Sequence, residues 1–127
     1  MPATVVRPAF HATSTKQAKR AVEPVSSRRL LDALAALPIY RWRFTGQESN
    51  QHVGPMAEAF HDRLGIMGSN QSIASVDADG VILAAIAALA DRLHQRGEEL
   101  REEAAALDAE LDTLEERVAS LAAQLDD

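Results

Sequence analysis

Leu34-Ala35-Ala36-Leu37-Pro38-Ile39-Tyr40-Arg41-Trp42-Arg43-Phe44 changes its hydrophobic period partway through. Up to Leu37 the leucines keep helical spacing, with Leu30, Leu31, Leu34 and Leu37 on one face of a helix predicted over about 28–37. Ser26-Ser27 supplies its N-cap, a hydroxyl able to accept from the free N–H groups of the first turn. Pro38 ends it, because a residue before proline is pushed out of the α region. From Tyr40 onward apolar and basic residues alternate, which predicts a strand. Tyr40, Trp42 and Phe44 share one face of it, and Arg41 and Arg43 the other. A helix giving way to a strand so abruptly argues for a small mixed α+β domain.

Outward from that stretch, Thr45-Gly46 and the polar residues 47–51 read as a turn. His52-Val53-Gly54 then forms a second short strand, completing a hairpin. Pro55 suits the first position of a helix, which is expected over 56–64 with Gly65 as its C-terminal cap. Residues 68–72 read as loop, 73–76 as a short strand or turn, and Asp77 or Asp79 as the N-cap of a long final helix. The aromatics are Phe10, Tyr40, Trp42, Phe44 and Phe60, so the core is expected to centre on the middle of the chain, with Trp42 inside it. Residues 1–13, with Pro2 and Pro8 and no periodicity, read as an extended or disordered stub. The expected organisation is this stub, an α+β domain over 14–80, and a coiled-coil helix over 81–127.

The final helix carries a heptad register without a slip. Ile86, Leu93, Leu100, Leu107, Leu114 and Leu121 occupy d, and Leu83, Ala90, Gly97, Ala104, Leu111, Val118 and Leu125 occupy a. Such sustained spacing argues for a coiled coil. At ~1.5 Å per residue the seam runs roughly 60 Å, more than so small a domain can bury, so oligomerisation follows from the residues themselves. Gly97 and the alanines at a weaken the first half, and Gly97 is the expected bend. In a parallel homo-oligomer the g and e positions would face each other as Arg96–Arg101, Glu103–Asp108 and Glu110–Glu115, all like-charged. Each pair costs a few tenths of a kcal/mol, roughly, against ~1.5–3 kcal/mol for burying one leucine. The apolar seam wins. The like charges also suit a second reading, a non-catalytic coiled-coil adaptor that binds a different, basic helical protein.

Composition excludes several classes. With no cysteine there is neither a disulfide framework nor a thiolate metal site. The apolar run 81–90 is too short to span a membrane, and the N-terminus lacks an apolar signal core. The net charge of −6 is unevenly spread: residues 1–45 hold eight Lys/Arg against two acidic residues, and 98–127 hold eleven acidic residues against two Arg. A basic patch can mean nucleic-acid contact, but complementarity between parts of an oligomer is the better account, and no nucleic-acid partner is expected. His52 and His61, near Glu58 and Asp62, lack metal-site spacing. His52 reads as structural at a strand end and His61 as a solvated helix residue. Residues 75–86 imitate a calcium loop, but its bidentate glutamate position is Ile86. No metal or cofactor is expected.

Five segments stand in a recognisable order: Ser14-x4-Lys19 with Glu23-Pro24-Val25; Leu34-Ala35-Ala36-Leu37-Pro38 into Tyr40-Arg41-Trp42; His52-Val53-Gly54-Pro55-Met56-Ala57-Glu58; Val76-Asp77-Ala78-Asp79-Gly80; and the leucine-spaced helix. Together, over roughly residues 10–100, they resemble the C-terminal intramolecular chaperone domain of phage tail spikes and fibres, the endosialidase-type or S74 peptidase family. The resemblance implies a homotrimer that assembles an N-terminal, β-rich fibre or spike passenger and then cuts itself off at the serine. It implies cytoplasmic residence during assembly, or association with the virion. Carried onto this chain, Ser14 is the catalytic nucleophile and Lys19 its base, with cleavage between Thr13 and Ser14. Family members often have Asp and Leu where this chain has Thr15 and Ala18. Counted from Met1 such a cut releases 13 residues, so the passenger is expected to be missing, separately encoded or lost.

The chemistry sets conditions on that dyad. A lysine acts as base only when neutral, and an exposed amine ordinarily titrates near ~10.4, so desolvation or neighbouring cations such as Lys16 and Arg20 must favour the neutral form. Five residues along a helix turn about 500°, leaving the two side chains about 140° apart, and in a strand they face opposite sides. Either the chain bends between them or Lys19 comes from a neighbouring subunit. The plain alternative for 14–25 is a polar surface linker.

Overall fold

A computed structural model of the chain describes residues 13–126. The expected N-terminal stub lies, apart from Thr13, outside the described residues. The chain divides after Ala85 into two units.

In the first unit, the Ser26 hydroxyl accepts from the Arg29 amide at 3.3 Å and starts a helix over Ser27–Ala35 (α1). That removes one of the unpaired N–H groups that every helix start leaves. The Leu37 amide bonds back to the Leu34 carbonyl at 3.1 Å, and Pro38 prevents continuation. Tyr40–Trp42 (β1) and His52–Gly54 (β2) pair antiparallel, with Tyr40 opposite Gly54 and Trp42 opposite His52. A helix over Ala57–Leu64 (α2) follows, with Met56 as N-cap and Pro55 one step before it. Gly65 takes φ +64° at its C-cap, a left-handed conformation that costs glycine nothing extra.

The core of this unit is Leu37, Phe60, Leu64 and Val81, with Leu30, Leu34, Ile66 and Ile73 among the apolar residues packed around it. α1 packs on α2, so the leucine face read from the sequence is the one that finds the core. The expectation for the aromatic strand face is corrected. Phe60 is 3% exposed, but Tyr40 and Phe44 are about half exposed, at 49% and 53%, and Trp42 is only half-buried. Among the described residues no second layer covers the two-stranded hairpin, so its aromatics cover one another instead. Trp42 stacks on His52 with ring centroids 4.7 Å apart and meets the Phe44 ring edge-on at 4.7 Å. Its indole Nε1 is buried without a hydrogen-bond partner.

The long helix runs over Ser75–Leu125 (α3). It starts earlier than the aspartates suggested, because the Ala74 carbonyl takes the first helical bonds, from the Asp77 amide at 3.0 Å and the Ala78 amide at 3.1 Å. Asp77 thus sits inside the first turn, where its charge suits the dipole. Residues 75–76 are helical rather than strand or turn, and Ile73 goes to the core. The helix also continues through Gly97, where a bend was expected. Glycine in a helix interior costs about 1 kcal/mol relative to alanine, yet it keeps both backbone hydrogen-bonding groups, so the ladder is unbroken.

The second unit, 86–127, is the helix alone as far as it is described. Its seam residues are exposed: Leu93 66%, Leu107 59%, Leu114 53%. Arg96 bonds Glu99 at 3.0 Å, and Arg101 bonds Glu98, so both arginines expected to repel across a coil have a carboxylate partner on their own helix.

Candidate functional site

Ser14 and Lys19 meet. Thr15 is extended (φ −73°, ψ 152°), a single 3-10 turn over Lys16–Ala18 follows, and Lys19 is extended again (φ −120°, ψ 148°). Two backbone bonds close the turn, Ala18 N–H to the Thr15 carbonyl at 3.1 Å and Lys19 N–H to the Lys16 carbonyl at 3.2 Å. The tighter winding of a 3-10 turn, about 120° per residue, between two extended residues brings both side chains to one side. Lys19 Nζ then donates to Ser14 Oγ at 2.8 Å. A bend within one chain is thus enough to bring the pair together.

The pair lies on the surface, and residues 13–25 are exposed throughout. In the observed direction the amine donates to the hydroxyl. For the lysine to act as a base the direction must reverse, with a neutral amine accepting the Ser14 proton. Just beyond, Ala21 holds φ +50°. A residue with a Cβ in the left-handed region costs roughly 1–2 kcal/mol, and such strain tends to gather beside working sites.

The histidines divide. His52 begins β2, stacks on Trp42 at 4.7 Å and meets the Phe44 ring edge-on at 5.3 Å, in keeping with a structural role at a strand end. His61 is not the solvated helix residue expected. It is half-buried, its Nδ1 lies 2.9 Å from the Ile66 carbonyl and its Nε2 2.8 Å from the Ser72 carbonyl. These bonds, that to Ser72 foremost and then that to Ile66, raise its pKa above the ordinary histidine value and outweigh the opposing effect of burial, with Asp77 adding to the rise. Sequence spacing carried no signal for this, since both partners are backbone groups of a loop. Among the described residues no group of His, Asp or Glu is placed to hold a metal ion.

Residues 14–64 match the Peptidase_S74 family, chaperone of endosialidase. The match begins at Ser14 itself and ends at the last residue of α2. It bears out the resemblance read from the sequence over that segment, and it supports an intramolecular chaperone or assembly role. The segment 76–80 and the heptad helix, which also contributed to the resemblance, lie beyond the match. No curated protein and no solved structure gives a significant match to the chain. No helix among the described residues is long and apolar enough to cross a membrane.

Proposed function

We propose that the chain is a homotrimeric assembly module for a fibre-type passenger, and that it cuts itself once between Thr13 and Ser14. The observation that carries the assembly reading is an unbroken helix whose a and d leucines stand exposed behind a segment of the chaperone family. Joining three such helices removes those leucines from water at ~1.5–3 kcal/mol each. It also holds the attached passenger chains at high effective concentration, which speeds the pairing of distant strands.

The self-cleavage reading rests on the 2.8 Å contact between Lys19 and Ser14. A neutral Lys19 amine takes the Ser14 hydroxyl proton as Oγ attacks the Thr13 carbonyl carbon. The peptide C–N bond breaks, the lysine returns the proton to the Ser14 amine, and an ester links Thr13 to Oγ. Water then hydrolyses the ester. Because the base is supplied in cis, a neighbouring subunit has only to exclude water, which favours the neutral amine.

Mass spectrometry of a passenger fused ahead of Met1 tests the chemistry. One cut before Ser14 is expected, accelerating as pH rises, and absent in Ser14→Ala and Lys19→Ala while the oligomer persists. A cut that survives in Ser14→Ala overturns the nucleophile assignment. Sedimentation equilibrium tests the assembly: a concentration-independent monomer rejects the trimer, and assembly only with a basic helical partner establishes the adaptor in its place. Glu103–Asp108 and Glu110–Glu115 are what favour that second reading, since they would still face each other in a parallel homotrimer.

A further inference from the structure

Between α2 and α3 the connector 65–74 folds back over one imidazole. His61 reaches it with both ring nitrogens, Nδ1 to the Ile66 carbonyl at 2.9 Å and Nε2 to the Ser72 carbonyl at 2.8 Å. A backbone carbonyl oxygen can only accept. Each nitrogen must therefore donate, and only the doubly protonated ring has two N–H groups. In a neutral ring, whichever nitrogen lacks its proton points a lone pair at a carbonyl oxygen, so one of the two bonds becomes a repulsive contact.

The surroundings are arranged around the ring. Phe60 packs edge-on to it at 5.6 Å. Gly68 takes φ +151°, a backbone conformation that side chains rarely follow, and sits beside the ring, where an added Cβ would stand at ordinary contact distance, 3.7 Å from the imidazole Cε1. Asp77 in the first turn of α3 is the charged group that acts on the ring among the described residues, and it favours the imidazolium. The connector residues held this way do more than close a loop. Gln71, Ser72 and Ile73 form one wall of a cleft of about 580 Å³, whose other walls are 42–45 of the hairpin and 55–58 leading into α2.

We propose that His61 is a protonation-dependent latch that keeps the 66–73 connector closed and so sets the wall of this cleft. Neither Ser14 nor Lys19 lines this cleft, and the latch stands whether or not that dyad cuts. Its sign follows from the contacts. The closed state binds the imidazole proton more tightly than the open one, so the latch is complete below the ordinary histidine value of ~6.5. It is lost as pH rises through the higher closed-state value.

Histidine-resolved NMR titration of the full chain, with each of the four imidazole signals assigned by through-bond correlation to its own backbone, tests this. His61 is expected to titrate above ~6.5, with both ring nitrogens protonated on the acid side. Hydrogen exchange of the connector amides, corrected for intrinsic base catalysis, should accelerate through the same midpoint. The acceleration should be about tenfold for each pH unit between closed and open values, with Phe60 and its neighbours in α2 unchanged. His61→Gln keeps one donor and should remove the pH step. A His61 midpoint at or below ~6.5, or connector exchange that is flat through the midpoint in the unmodified chain, overturns the proposal. Neither result depends on the variant folding.

Discussion

Two apolar surfaces of similar chemistry end differently in this chain. Leu30 and Leu34 from α1, with Leu37 just past its end, find Phe60 and Leu64 on α2 and Val81 at the start of α3, and the central members fall below a tenth exposed. Ile86 to Leu125 on the same α3 repeat an equally regular stripe, yet every leucine of it remains half exposed or more. The first stripe is short and lies beside other short elements, so one chain can cover it. The second is longer than any other described element that could lie along it. Burial in the first unit is therefore a property of the chain, and in the second it is left to the proposed assembly.

The strongest way to break that contrast is to place charge in the second stripe. Leu107→Asp with Leu114→Asp should dissociate the proposed trimer completely, because unpaired charges at d positions would be buried at several kcal/mol each, on the order of the penalty for desolvating an ion. Sedimentation equilibrium reads this, and tryptophan fluorescence from Trp42 in the first unit should be unaltered. Loss of the Trp42 signal together with the oligomer would show that the first unit also depends on assembly.

Next in size is the core itself. Phe60→Ala should cost about 3–5 kcal/mol, read by urea unfolding followed at Trp42, while circular dichroism retains the helical signal of α3. Trp42 sharpens the comparison within the first unit. Being half-buried, with an indole N–H that has no partner, Trp42→Phe should cost less than Phe60→Ala, within about 1.5 kcal/mol as for other near-isosteric swaps. An equal or larger loss would mean that a neighbouring subunit completes the burial of the hairpin face. The smallest effect belongs to the cap: Ser26→Ala should lower stability by about 1 kcal/mol and leave the oligomer unchanged.

Much of this architecture is legible in local rules. Ser26 as cap, Pro38 as stop, Gly65 as left-handed C-cap and the 40–54 hairpin depend on backbone preferences within a few residues, and all are present. So is the heptad register, because a period is a property of the sequence and needs no partner to be seen. The Ser14–Lys19 spacing was visible too, but not whether the two residues could touch. Helical and strand periodicities both keep them apart, and the 3-10 turn that joins them has no strong local signature in Lys16-Gln17-Ala18.

Tertiary structure decided what periodicity leaves degenerate. Tyr40, Trp42 and Phe44 share a face by alternation, but alternation does not say whether another layer will cover it, and here the helices spend their leucines on each other. The early start of α3 came from the Ala74 carbonyl and the packing of Ile73, while Gly97 proved no barrier because a helix held by its ladder tolerates one glycine. The His61 contacts could not be read at all, since both partners are carbonyls of a loop whose path is set by Gly65 and Gly68. Residue types and spacing determined by themselves the elements, the register and the candidate dyad. Which faces became core, and how the dyad and the imidazole were closed, depended on the path of the chain between elements, where backbone groups carry no sequence label.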